Sequence, residues 1–579
     1  MPRSSPPIDT VRVDEPHRLR LLLTTLVVVL LALTGCSDIP TQGPVGVITA
    51  APDERDARTP VFDPDGPAAG ASPEQIIQDF ITAGTGAGNG YSVARQFLTP
   101  ALARTWAPEE RIVLFRSDPR VEERGAEGVY QIQLETTGTI DSRGLRTNSA
   151  VPATETVDVR VEQVDGEWRI GQIPDGILLA QGSAQNLLIS HNLYFYSVNY
   201  RYWVPDARWF VRRAGVTAQI VQTLLAGPAP YLQGAVTSAF PEGVTLARDS
   251  VPITSGVATV ELSDEVLDGA TNLGLQQMSQ QLQVNVLGLN DVTSVELTAG
   301  QPLPLGDPSP ELIVPELTPD SGSEQVAVLA DELVRVRNGS AQPIDGLESV
   351  ADRGPRDPAA SPSGSAYAFL DGARNTLFVI APDSPVREIA RGSGLTQPSF
   401  DPDNRIWSVR SAGGRSEVLS IPPGGTDANA SIVSAGWLTD RTVKELRISG
   451  DGSRALVVTD VDGKAEVLLA GIIRSTEGVP QTLTTPLTLV TDGTIDTAKW
   501  AGQTAVVASS TGADEAIPVV LGLNGETEAM AALEGVQNLS AGTDVDDAFY
   551  AQAGGTLYRR IGNSWVDEQL DVIDPAFPG

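Results

Sequence analysis

One cysteine, Cys36, occurs in 579 residues. No internal disulfide can form, so stability has to come from buried cores, and no cysteine nucleophile is expected in the mature chain. Histidine is nearly as scarce. His17 and His191 are the only two, which excludes a multi-histidine zinc centre. A Ser-His-Asp arrangement would have to use His191, and Leu187-Leu188-Ile189-Ser190-His191-Asn192 carries no nucleophile elbow. Lysine is confined to Lys444, Lys464 and Lys499, while 40 Lys plus Arg face 73 Asp plus Glu, a formal net charge of −33. Such a chain has no basic surface to neutralise phosphates, which argues against nucleic acid as a partner. The same charge should hold the folded body away from anionic lipid. No phosphate-binding Gly-Lys-Ser/Thr loop, HExxH, dinucleotide fingerprint or GxSxG occurs. Asp451-Gly452 and Asp460-Val461-Asp462-Gly463 read as turns. An EF-type loop from Asp460 would need glutamate at its twelfth place, where Gly471 stands. No catalytic residue, cofactor or metal site is therefore expected.

What is present begins with Arg12, Arg18 and Arg20, followed by an apolar run from Leu21 to Leu33 and then Thr34-Gly35-Cys36. The run is a signal-peptide length, short of the roughly 20 residues that span a bilayer. Leu33, Thr34, Gly35 and Cys36 resemble the bacterial lipobox. The resemblance implies a diacylglyceryl group on the Cys36 thiol and removal of residues 1–35. Leu33, Thr34 and Gly35 would be the recognition residues. One acyl chain holds a protein marginally, at about 0.8 kcal/mol per buried methylene, whereas two, palmitate among them, hold it stably. The expected location is the extracytoplasmic face of the cell membrane.

Residues 36–70 are rich in Pro, Gly, Asp and Thr and read as a lipidated, flexible tether. From 71 to 185 the pattern is helix and then strand. Ser72 caps, Pro73 takes the first helical position, and Ile76, Ile77, Phe80 and Ile81 repeat at helical spacing. Strands are predicted near Gly128–Thr137, Glu155–Val164 and Trp168–Ile173, with an Asp165-Gly166 hairpin turn. This α+β module is similar to the NTF2/cystatin-like class. In 192–298, aromatic strands precede a Val216–Leu225 helix stopped by Ala226-Gly227-Pro228. The Phe240-Pro241-Glu242-Gly243 step and a hairpin ending Gly256–Ser263 follow, and further helix and strand are predicted at Leu282–Leu287 and Thr293–Leu297. These residues resemble the GerMN domain, a second α+β unit. Residues 299–322 read as a linker. In 323–579, turn-and-strand units start near 361, 401, 449, 499 and 540, a period suited to propeller blades. Counting Val326–Val336 as the first unit gives an all-β propeller of about six blades.

Lipobox, helix–sheet module, GerMN-like domain and propeller, in that order, resemble the actinobacterial lipoprotein LpqB family, and the low lysine content suits such a source. The resemblance implies an accessory of a two-component system that binds the extracellular domain of a sensor histidine kinase of the MtrB kind, which controls envelope and division genes. The alternative is a binding protein for cell-wall carbohydrate, or a peptidoglycan-acting enzyme. Trp407, Trp437 and Trp500 bear on that choice, since rings facing a central channel would suit carbohydrate and rings packed between blades would not. A Cys36→Ala chain should incorporate no labelled palmitate and signal more weakly without unfolding. Metabolic labelling, a signalling reporter and circular dichroism check this.

Overall fold

The computed structural model describes residues 64–579, apart from 126, 320–321, 413–414, 490–493 and 543–548. Cys36 and the rest of the signal and lipobox lie outside the described residues. The Pro73–Ala83 helix forms where its capping signals put it, with Ser72 Oγ accepting from Gln75 N. Its Ile76, Ile77, Phe80 and Ile81 are buried on a sheet ordered Glu167–Gln172, Arg146–Val164, Val129–Asp141, Arg111–Phe115 and Ile177–Ala180. Strict alternation along Val129–Asp141 turns one face to this core, as a period of two requires. The sheet is mixed, because Ile177–Ala180 lies parallel to Arg111–Phe115.

The next module has two small sheets. In one, Leu188–Ser197 pairs with Trp203–Val211 and Val236–Thr237; in the other, Val257–Glu261 lies parallel to Ser294–Ala299. The Val216–Leu225 helix has the predicted bounds. The helix predicted at Leu282–Leu287 is much longer, running Asn272–Val286. Its inward face is polar in part, which hides it from a hydrophobicity pattern. Buried Gln281 bonds Tyr194 O and accepts from Ala239 N, and Asn285 Nδ2 donates to Tyr194 O.

Beyond the linker, six antiparallel sheets of four or five strands follow one another among the described residues, each led by an inner strand: Ile573–Ala576, Arg356–Ala360, Ser399–Phe400, Thr442–Ile448, Thr497–Ala501 and Val536–Ala541. Each inner strand contacts the next, and the last contacts the first, so they form a ring. The first sheet takes its inner strand from the far end of the chain, with Val326 registered on Ala576. The repeated turns seen in the sequence join inner to second strands. Ser361 Oγ, Asp401 Oδ1 and Ser449 Oγ each accept from backbone amides four or five residues on.

The modules are fused. One hydrophobic core runs from Phe195, Ile220, Leu224 and Leu282 into Leu456, Leu469, Val506 and Leu521 of the fourth and fifth sheets. At about 1.5–3 kcal/mol per buried aliphatic side chain, this core stands in for cross-links that a single cysteine cannot make. The hairpin tip at Arg143 reaches across to the second module, where its Nη2 donates to the Ala226 and Gly227 carbonyls that end the Val216–Leu225 helix. Trp209 Nε1 and Asn148 Nδ2 donate to Asn524 O and Gly525 O of the fifth sheet. The linker is pinned as well: Trp203 N donates to Glu316 O, and Glu316 N to Arg201 O.

Gly471 is a point of close approach between the second module and the ring. A Cβ there would lie 2.5 Å from Tyr231 O and 2.7 Å from Ala235 Cβ. Gly471→Ala should cost about 1–3 kcal/mol by overpacking. Gly182→Ala, whose Cβ would meet nothing within 4 Å, should be close to neutral. Thermal unfolding of the two variants checks this.

Candidate functional site: the axial end of the propeller

His191 serves the fold. Its Nε2 lies 2.9 Å from Asn285 O, beside the Phe210 ring. Burial lowers its pKa, against the pull of the Asn285 carbonyl. Asp451 is spent on its own turn, taking Ser449 Oγ–H, Ser453 N–H and the Arg454 guanidinium, with Asp451 and Arg454 side chains both fully buried. Asp460 Oδ1 accepts from Gly463 N. Among the described residues, no group of three or more His, Cys, Asp or Glu converges.

The inner strands bring together charges that the sequence reading did not single out. Glu445 Oε1 accepts from Lys499 Nζ and from Arg447 Nε, the latter at 2.8 Å. Its Oε2 accepts from Thr497 Oγ1 at 2.9 Å and Ala498 N at 3.0 Å. Gln397 Oε1 takes a second Lys499 proton and one from Arg447, while Gln397 Nε2 donates to Pro358 O. Four successive sheets, the second to the fifth, are thereby tied at the axis. Asp574 Oδ2 accepts from Asp357 N, and Asp574 N donates to Gln552 Oε1, which extends the tie to the first and sixth.

The electrostatics follow from this geometry. Burial would raise the Glu445 carboxyl, but Lys499 and Arg447 outweigh it and hold the carboxyl at about 2. Lys499 is pulled down to about 8, by burial first and by the like charge of Arg447 second, with Glu445 opposing. One carboxylate served by two cations is secure; each cation feels the other. The only prior hint of Lys499 was the rarity of lysine.

Directly above this network is a cavity of about 400 Å³. All six sheets contribute to its wall, which places it on the ring's axis, and its lining includes the repeated turns at Pro362, Asn404, Gly450, Gln503 and Gly542. Arg201 and Tyr202 of the second module and Thr318 of the linker add to the rim. The three tryptophans part company here. Trp407 is fully buried in the core between the third and fourth sheets and donates to Asp401. Trp437 is half-buried against that core. Trp500 is half-buried, donates to Arg447 O, lies under the Arg454 guanidinium and lines the cavity.

Two α+β modules fused to a closed ring of sheets define a modular propeller protein, and no helix among the described residues is long and apolar enough to cross a membrane. Residues 66–185 match the N-terminal domain of lipoprotein LpqB, 192–303 the sporulation and spore germination (Germane) family, and 331–578 the lipoprotein LpqB β-propeller domain. The chain belongs to the lipoprotein LpqB family, and is with it a membrane-associated lipoprotein. It is 25% identical to lipoprotein LpqB of Streptomyces coelicolor, across 94% of this chain and 96% of that one. The identity to the Rhodococcus jostii relative is 28%, across 79% of each. A solved prolyl endopeptidase overlaps 41% of this chain and 46% of its own, at 14% identity and a TM-score of 0.29. That likeness is too slight to carry any inference about activity.

Glu445 sets an acid limit. Its carboxyl sits at about 2 in the fold against an ordinary 4.5. Its contribution is therefore complete above pH 4.5 and is lost as pH falls from there toward 2, a change of about 3 kcal/mol. Glu445→Gln, which strands two dry cations, should cost about 3–5 kcal/mol at neutral pH and flatten that acid limb. Urea unfolding of both chains between pH 7 and the acid limit measures the difference.

Proposed function

We propose that this protein is held by lipid on Cys36 at the outer face of the cytoplasmic membrane, where it binds and modulates a sensor histidine kinase of the MtrB kind without catalysing a reaction. The observation that carries this reading is the fusion of the three modules. A body with one continuous core from the second module into the ring moves as a unit on its tether, so lipid confinement raises the effective concentration of all its surfaces toward a neighbouring ectodomain. Family membership supports the same direction. The charged groups nearest the axis are engaged in hydrogen bonds and ion pairs within the fold, as architecture for contact requires. We read the six sheets as six blades, and 66–185 as an NTF2/cystatin-like cone whose hairpin tip braces its neighbour. Trp500 at the axial cavity is the single feature that favours the second reading, a cell-wall carbohydrate-binding protein or peptidoglycan-acting enzyme.

Detergent-purified lipoprotein passed over an immobilised kinase ectodomain should bind saturably, with a Kd of about tens of micromolar or tighter. Absence of binding at that level would overturn the kinase reading. Soluble fragments released from peptidoglycan by the purified protein would overturn the non-enzymatic one.

A further inference from the structure

Exposed apolar surface gathers on the linker. Val314 is the most exposed large apolar side chain among the described residues, at 79%, and Ile313 and Leu317 beside it stand at 45% each. Single exposed aliphatics are ordinary, but three so close together make a patch. The backbone that carries them is held at both ends. On one side Gln276 fastens it, with Nε2 donating to Leu305 O and Asp307 O and Oε1 accepting from Ser309 N. On the other, Glu316 N donates to Arg201 O and Glu316 O accepts from Trp203 N. Between these fastenings Pro310 and Pro315 fix φ, and Pro315 keeps Val314 extended. Ile313 and Val314 make no backbone hydrogen bond, so the strip presents an open edge as well as bare side chains. The entropy of ordering this display is met within the fold and not at the moment of contact.

Charge decides what can sit there. From Asp249 to Val334 the chain has no Lys, Arg or His, against fourteen Asp and Glu. Asp307, Glu311 and Glu316 flank the patch; all three are exposed, and none forms an ion pair among the described residues. Arg201, which carries the Glu316 anchorage, turns its guanidinium to Asp403 at 3.5 Å and over the Tyr202 ring. A symmetric pairing of two copies through this strip would set carboxylate against carboxylate. Anionic lipid would repel it for the same reason. A protein segment that carries Lys or Arg around apolar side chains meets both the charge and the patch.

We infer that the strip from Glu311 to Leu317 is the docking edge for a basic, extended segment of the kinase ectodomain. The partner's apolar side chains rest on Ile313, Val314 and Leu317, and its Lys or Arg meet Asp307, Glu311 and Glu316. This rests on the kinase reading above and adds the place of contact and the chemistry of the partner's side. Glu316 ties the strip to the second module, while Thr318 and Pro319 just beyond it border the axial cavity. A bound segment therefore bears on the second module and the ring together.

Biolayer interferometry of the full-length lipoprotein in detergent on an immobilised kinase ectodomain tests this. Ile313→Ser combined with Val314→Ser should weaken binding about tenfold, chiefly by faster release. Glu311→Lys combined with Glu316→Lys should weaken it about three- to tenfold, chiefly by slower association that depends less on salt. Ile432→Ser, which alters a side chain 53% exposed on the third sheet, should leave the affinity unchanged. All of these variants should keep the thermal midpoint, because the side chains they alter are exposed. No binding by the unaltered protein would overturn the kinase reading and this inference with it. An affinity unchanged in either strip variant would overturn the docking edge and leave the kinase reading intact. Equal weakening by Ile432→Ser would do the same, as would a lipoprotein dimer in sedimentation velocity that the two serines abolish.

Discussion

How Glu445 divides its two oxygens governs the centre of this molecule. One oxygen is shared by Lys499 and Arg447, and the other is held by Thr497 and the Ala498 amide. A lone carboxylate in so dry a place would lose its charge. Here every lone-pair direction is met, and the ion becomes a fastener between sheets. Because Gln397 bridges the same cations to the second and third sheets, the ring cannot open at this end without exposing unpaired charge. The cavity keeps its outline for that reason.

The second constraint is mechanical fit. The fourth and fifth sheets share one apolar core with the second module, and the Gly471 backbone comes close enough to Tyr231 for Thr484 Oγ1 to donate to the Tyr231 carbonyl at 2.6 Å. The Arg143 tip satisfies helix-end carbonyls that water would otherwise have to reach. Domain independence, the usual expectation for a multimodule chain, gives way to a single body.

Local rules carried the sequence reading a long way. Ser72, Pro73 and the Ile76–Ile81 spacing placed the start of a helix, and Gly227-Pro228 ended another where it does end. Period found the ring, because each sheet needs the same tight turn from inner to second strand. Two kinds of feature stayed hidden. The Asn272–Val286 helix buries Gln276, Gln281 and Asn285, and a polar inward face has no apolar rhythm to detect. The axial charges are distant in sequence: Gln397, Glu445 and Lys499 belong to three sheets and meet only through closure. Their residue types are ordinary, and only lysine's scarcity set one of them apart. The linker was legible as a boundary, but its anchorage at Glu316 was not, since a single backbone bridge leaves no compositional trace.

The pairing of Val326 with Ala576 also has a bearing on time. The two strands are separated by about 250 residues, and the entropy of closing a loop that long, though it grows slowly with length, must be met before their contact yields any return. Topologies dominated by such remote pairings fold slowly. Synthesis begins at the N-terminus, so both α+β modules and five of the sheets are made before the strand that completes the first sheet. Until then the inner strands of the second and sixth sheets have an open flank, and the axial cavity has a missing wall. A chain cut short anywhere before residue 573 would lack the inner strand of the first sheet, and with it one wall of the cavity. Closure of the ring thus waits on the Ile573–Ala576 strand, and an intact axial cavity reports that this strand has found its place.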